Sequence, residues 1–251
     1  MREILEQADR ILIGGHRGCE CGYPENSIAA MEEGIRRGAD YLEIDIQLTR
    51  DKVPVVIHDL RLEKRTALNG YVHEHTLEEL TGAIPGLCTL REALSWGRRE
   101  NVCFGLEMKT VPLDMQPWNM ELAELTGGLL YKTGMTGQVF VFGPDYQVLN
   151  HLKNRYRDVE IGLIVPFVPA APVELMKEMK GLVYLSYIYN MTPEIIRRLQ
   201  ENGYFVSGAI LREEVWVQRA MELKVNMFES DEPWRYAGKR VSLIDETEKF
   251  K

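Results

Sequence analysis

Short apolar runs recur along this 251-residue chain at intervals that each leave room for one helix, and that rhythm restricts the fold more than any other feature. The runs fall at 11–18, 41–48, 102–108, 138–142, 160–165, 182–187, 204–210 and 225–228. Bounded by glycines and polar turns, they read as buried strands. Helices are predicted between them: one from the Asn26-Ser27 cap to Gly38, then 121–125, 146–156, 172–180, 193–202 and 213–223. Eight strand–crossover units predict a parallel (β/α)8 TIM barrel, a fold that commonly fills one domain of this length. A single domain covering 1–251 is therefore expected.

One apolar run stands outside the rhythm. The interval from Thr49 to Val53 is too short for a crossover, so 53–57 should return antiparallel to 41–48 as a hairpin. That folds His58 back beside Asp45. The turn Arg50-Asp51-Lys52-Val53 lacks the usual glycine, which leaves its type open. Residues 60–101 are the least regular stretch and are read as a small insertion over the barrel rim. Within it, helices at 76–80 and 89–96 each open on a capping threonine with an acid in the first turn. Leu87 and Trp96 in this insertion fit either a core or an interface.

A net charge of −8, with Lys and Arg scattered, argues against general nucleic-acid binding but leaves room for a small anionic substrate held by local cations. The first ten residues lack the apolar core of a signal peptide, and no run approaches transmembrane length, so a cytoplasmic protein is expected. The four cysteines are too few and too irregular for a disulfide scaffold. Cys19-Glu20-Cys21 has the look of half a zinc site, but no second Cys or His pair accompanies it, and a loop with reduced thiols is the expected reading. Oligomeric state is open.

The strand 41–48 carries the chemistry. Glu43 and Asp45 are two apart and share a face, while Ile44 and Ile46 take the other. Two neighbouring acids in an apolar strand cost desolvation and like-charge repulsion, which a bound cation would relieve. Phe104-Gly-Leu-Glu-Met-Lys109 repeats the pattern with Glu107 and Lys109. Three carboxylates form a hard oxygen site suited to Mg²⁺ or Ca²⁺. In a TIM barrel the site lies at the C-terminal ends of the strands, where His16, Glu43, Asp45, Glu107 and Lys109 all fall. Two histidines, His16 and His58, flank the acids with near-neutral pKa values fit for proton transfer both ways. Arg17 and Lys109 could hold a phosphate. Taken singly, each of these residues also fits a cap or a structural ion pair; their convergence points to phosphodiester cleavage.

The strings His16-Arg-Gly, Pro24-Glu-Asn-Ser27, Gly38-Ala-Asp-Tyr-Leu-Glu-Ile-Asp-Ile-Gln-Leu-Thr-Arg-Asp51 and Pro54-Val-Val-Ile-His-Asp59 closely resemble the glycerophosphodiester phosphodiesterase family. The resemblance is dense over 11–59, extends through Leu106-Glu-Met-Lys109, and is weaker at Glu229-Ser-Asp-Glu-Pro233. It implies that His16 is the proton acceptor and His58 the proton donor. It also implies that Glu43, Asp45 and Glu107 bind the divalent metal, and that Arg17 and Lys109 contact phosphate. Glu25 and Asn26 fall behind these, where a helix cap explains Asn26 equally well. The implied reaction releases an alcohol and glycerol 3-phosphate, which places the chain in lipid and glycerol metabolism.

Three alternatives stand beside it. Some relatives with a similar site act on lysophospholipids; a lyase-like relative would release a cyclic phosphate; and a barrel could bind phosphorylated ligands without turnover. Three departures bear on substrate shape: the longer loop Cys19–Tyr23, Ser207-Gly-Ala-Ile210 in place of the family's Trp-Thr-Val-Asn, and Phe142-Gly-Pro144 in place of a Ser-Phe pair.

Overall fold

The computed structural model describes residues 1–64, 66–208 and 210–238. Among them, eight parallel strands close into a barrel: β1 (Leu12–Gly15), β2 (Tyr41–Leu48), β4 (Phe104–Met108), β5 (Val139–Gly143), β6 (Glu160–Ile164), β7 (Val183–Ser186), β8 (Phe205–Gly208) and β9 (Met227–Ser230). β1 pairs with β9 on one side and β2 on the other, which leaves the sheet without a free barrel edge. β3 (Pro54–Val56) lies outside this ring, antiparallel to the end of β2 with Ile46 opposite Val56 and Leu48 opposite Pro54. This is the expected TIM barrel with its hairpin. The hairpin turn manages without glycine because Lys52 takes the left-handed conformation, φ 64°. Thr49 Oγ1 accepts from the Val53 amide at 2.9 Å and donates to Asp51 at 2.7 Å, supplying turn bonds that the sequence pattern did not announce.

The outer ring comprises α2 (Ile28–Arg36), α4 (Leu90–Glu100), α5 (Gln116–Thr133), α6 (Tyr146–Arg155), α7 (Pro172–Met179), α8 (Pro193–Glu201) and α9 (Glu214–Glu222). Their inward apolar stripes pack on outward strand residues such as Ile13, Ile44, Leu106 and Val141 to form the main core. α4 belongs to this ring: Leu90, Ala93, Leu94 and Trp96 are buried in that core, with Trp96 edge-on to Phe104 at 6.2 Å. The part that lies over the rim is thus shorter than 60–101. It holds α3 (Leu77–Ala83) and a small separate cluster of Val55, Leu62, Val72 and Leu80, against which Leu87 packs. The sequence pattern could not separate the two because both helices open on the same Thr-x-x-Glu capping box.

The barrel interior has its own cluster, with Leu12, Tyr41, Phe140, Phe142, Leu185 and Met227 pointing inward. Tyr41 fills the space beside Gly14, where any Cβ would come within 2.4 Å of the Tyr41 ring. Met1 and Leu5 join this cluster from α1 (Arg2–Gln7), a helix with no counterpart among the predicted elements. No described helix is long and apolar enough to cross a membrane.

Candidate active site

All nine residues singled out in the sequence come together at the C-terminal ends of β1, β2 and β4. Glu43, Asp45 and Glu107 each offer a carboxylate oxygen within 4.8 Å of the others. Strand register does this: Asp45 lies directly opposite Glu107 in the β2–β4 pairing, and Glu43 precedes Asp45 on the same face. Glu43 and Asp45 are each 1% exposed. Burial, then repulsion from Asp45, Glu229 and Glu107, pushes the Glu43 carboxyl well above its ordinary range, and its buried Oε1 has no hydrogen-bond partner. Asp45 goes the other way. Burial would raise it, but Lys109, His58 and the Asn26 amide together hold it below the usual carboxylate range. An orphaned buried oxygen beside two more carboxylates is a donor set that fits a hard divalent cation.

The two cations named in the sequence reach the same acids. Lys109 Nζ lies 2.5 Å from Glu107 and 2.9 Å from Asp45. Arg17 Nη1 donates to both Glu25 oxygens at 3.1 Å, its Nε lies 3.5 Å from Asp45, and its backbone amide donates to Glu43 at 3.0 Å. That last bond needs the left-handed backbone of Arg17, φ 52°; Asn26 is also left-handed, φ 60°. Two non-glycine residues in this region store backbone strain beside the acid cluster. Asn26 is held by reciprocal bonds: its side chain donates to Asp45 Oδ2 at 2.9 Å and accepts from the Asp45 amide at 3.1 Å. The helix cap is Ser27, whose side chain accepts from the Ala30 amide, so Asn26 is a brace for Asp45 and not the cap.

The histidines sit on opposite flanks. His16 is buried, with Nε2 3.8 Å from Glu43 and Nδ1 2.5 Å from Asp231 Oδ1. His58 is partly exposed and its Nδ1 lies 2.8 Å from Asp59. The segment bearing His58 is fixed by Gln47 on β2, whose Nε2 donates to the carbonyls of Ile57, His58 and Asp59 at 3.0, 2.9 and 3.1 Å. In each pair the carboxylate on Nδ1 favours a proton there and leaves Nε2 to face the site.

Four contributors escaped the reading of the sequence as site residues. Gln47 acts across the hairpin on the carbonyls of Ile57, His58 and Asp59, whereas Asp231 reaches His16 from the far end of the chain and is itself bonded by Arg212 at 2.6 Å. Burial raises Asp231, but His16 and Arg212 outweigh it and hold the carboxyl low. Glu229, fully inside the barrel on β9, is pushed up to about 8 by burial and by Glu107 and Asp45. Its position just before Ser230-Asp231 in an apolar strand was the available signal. The thiols expected at Cys19 and Cys21 are instead joined in a disulfide, while Cys88 and Cys103 are free and buried. With one residue between them, the loop brings the two Cα atoms to 5.6 Å, a distance within the bonding range that spacing rules for scaffolds do not consider.

Comparison with known proteins bears on the family and the fold. The chain is 24% identical over 235 residues to a glycerophosphodiester phosphodiesterase of Caldanaerobacter subterraneus subsp. tengcongensis, covering 89% of this chain and 95% of that one. It is 37% identical over 108 residues to YqiK of Bacillus subtilis, spanning only 44% of that protein's length. Among solved structures, an Oleispira antarctica phosphodiesterase in complex with the product sn-glycerol-3-phosphate superposes with a TM-score of 0.81 at 19% identity, over 91% of this chain and 96% of that one. A glycerophosphodiester phosphodiesterase from Thermotoga maritima gives 0.75 at 20% identity, over 92% and 98%. These likenesses show the fold. The model of the glycerophosphoryl diester phosphodiesterase family matches residues 16–233, from His16 to Pro233, and the chain belongs to that family of phosphoric diester hydrolases.

Proposed function

We propose that the chain hydrolyses a glycerophosphodiester to an alcohol and sn-glycerol 3-phosphate. The observation that carries the reading is the placement of two carboxylate-oriented histidines on either side of a three-acid cluster whose Glu43 and Asp45 are buried and whose Glu107 is half-buried. Glu43, Asp45 and Glu107 would hold Mg²⁺ or Ca²⁺. Such a cation, when bound, neutralises phosphoryl charge. Arg17 would meet phosphate oxygens through its planar fork, and Lys109 as a point charge. His16, with Nδ1 on Asp231, would accept at Nε2 a proton of the attacking water, whose oxygen ends on the phosphate of glycerol 3-phosphate. His58, with Nδ1 on Asp59, would return one to the leaving alkoxide at Nε2.

Chelator-stripped protein should lose activity on glycerophosphodiesters and recover it with Mg²⁺ or Ca²⁺, and indifference to chelation would remove the three-acid site from the reaction. His16→Ala and His58→Ala should each lower kcat by roughly 10²–10⁴. Phosphorus NMR distinguishes glycerol 3-phosphate from a cyclic phosphate, which would mark the lyase-like route. We place the reaction in the cytoplasm. There the Cys19–Cys21 bond would be reduced, so protein alkylated directly from cells should show two free thiols, and a disulfide that persists in cells would speak against that setting.

A further inference from the structure

The spaces beside the acid cluster differ in chemistry, and apart from an open cavity of about 440 Å³ that runs from His58 to Lys109 past Lys64 and Tyr71, two stand out. On the His16 side a cavity of about 480 Å³ is lined by Arg17, Glu20, Glu25, Arg212 and Asp231, polar groups able to hydrogen-bond a polyol. On the His58 side a more enclosed cavity of about 200 Å³ is walled by Pro24, Ile57, Leu62, Ile84, Pro85 and Leu87. This second space is continuous with the site, because His58, Asn26 and Glu25 line it too.

Most polar groups of the second cavity are already engaged, His58 Nε2 and part of the exposed Arg61 guanidinium excepted. Glu25 is tied to Arg17 at 3.1 Å and Asp59 to His58 at 2.8 Å. Arg61 donates to Glu63, and the Thr66 hydroxyl donates to the Leu62 carbonyl at 3.1 Å. A polyol placed here would be desolvated against hydrocarbon with few free partners, at a cost per hydroxyl that apolar contact does not offset. A quaternary ammonium would find neither a free carboxylate nor an aromatic cage among the described lining residues. An alkyl or aryl group meets no such penalty.

We propose that this cavity is the leaving-group subsite and that it takes an apolar, uncharged alcohol, so that the substrate class is glycerol 3-phosphate esterified to an alkyl or aryl alcohol. The proposal rests on the reaction described above, in which His58 serves the leaving oxygen; the glycerol then falls on the polar His16 side. The volume equals that of about seven waters in the liquid, enough for a short chain or one ring.

The test is a series of glycerophosphodiesters whose leaving alcohol is methanol, butanol, hexanol, choline or inositol, assayed with Mg²⁺ and with Ca²⁺. Expected is a rise in kcat/KM of roughly 3- to 4-fold per methylene until the cavity is full, following ~0.8 kcal/mol per buried CH₂. The hexyl ester should exceed the choline and inositol esters at least tenfold. Ile84→Asn and, as a milder change, Leu87→Ala should flatten the hexyl-to-methyl ratio, each ratio being internal to one protein and so independent of how much of it folds. Choline or inositol esters cleaved as well as the hexyl ester would overturn the subsite while leaving the reaction standing. So would a gain from an acyl chain on the glycerol in place of one on the leaving alcohol. No cleavage of any diester with either cation would overturn the reaction itself.

Discussion

His16 and Asp231, 215 residues apart in the chain, are joined at 2.5 Å between imidazole Nδ1 and carboxylate. Closure of the barrel makes this bond, since β1 and β9 are neighbours and the His16 amide donates to the Ser230 carbonyl at 3.0 Å. Removing the charge but keeping the shape, Asp231→Asn, should lower kcat by on the order of 10- to 100-fold, less than the loss of the imidazole. The pH–rate profile should shift as well, because the imidazole loses the partner that orients it. The pair also affects stability. The Asp231 carboxyl is held low in the folded state, so its contribution is present above the ordinary Asp pKa and is lost as pH falls through the lowered one. Asp231→Asn should therefore narrow the difference in Tm between pH 7 and pH 3, and an unchanged rate profile would show that the contact is structural only.

Glu43 gives a test of the proposed cation site that needs no substrate. Its carboxyl is buried with Asp45, Glu229 and Glu107 nearby, all of which disfavour charge in the metal-free protein. Because the folded state raises its pKa, its stability contribution is largest at low pH and is lost as pH rises through the raised value. Glu43→Gln should therefore raise the Tm of chelator-treated protein at pH 8. It should also abolish the increase in Tm expected of the wild type on adding Mg²⁺ or Ca²⁺, which would follow from a cation binding the folded state alone. A variant whose Tm still rises with either cation would exclude Glu43 as a ligand.

The legible parts of this molecule are those written in short-range pattern. The barrel was readable because each strand is a local apolar run and each crossover a local helix. The acids were readable because the two-residue period of a strand places Glu43 with Asp45. Asn26 was readable as important but not in its role: only the folded chain shows its two bonds to Asp45, with Ser27 taking the cap. Contacts made by closure, such as Asp231 on His16, have no local signal. α4 shows the opposite difficulty, since its capping box matches that of the rim helix α3 and only packing tells them apart.

Glu229 is a buried carboxyl with an unpartnered Oε1 beneath the acid cluster, and its pKa is raised from the usual 4.5 to about 8. It is therefore largely neutral at pH 6 and ionised above pH 8, and the sign runs as for Glu43: stability is greatest below 4.5 and falls until about pH 8. Glu229→Gln removes the charge at all pH values. In chelator, its Tm should match the wild type at pH 5 and exceed it by several degrees at pH 8.5. Parallel curves across that range would show that Glu229 is not the group that titrates.

Gln47 secures His58 from beneath, with one amide nitrogen shared among three successive carbonyls. The residue is buried, so Gln47→Leu keeps the volume but leaves those carbonyls without their donor. One or two lost bonds of this kind cost about 1–3 kcal/mol, enough to lower Tm without unfolding the barrel. The sharper consequence concerns His58 as the proposed proton donor. With the segment from Ile57 to Asp59 no longer pinned, His58 Nε2 is positioned for a smaller fraction of the time, so kcat should fall while KM changes little. The loss should be greatest for leaving alcohols of high pKa, which depend on protonation, and smallest for a nitrophenol ester, which leaves without it. A variant that loses activity equally on both esters would place the role of Gln47 in the general fold and not in holding His58.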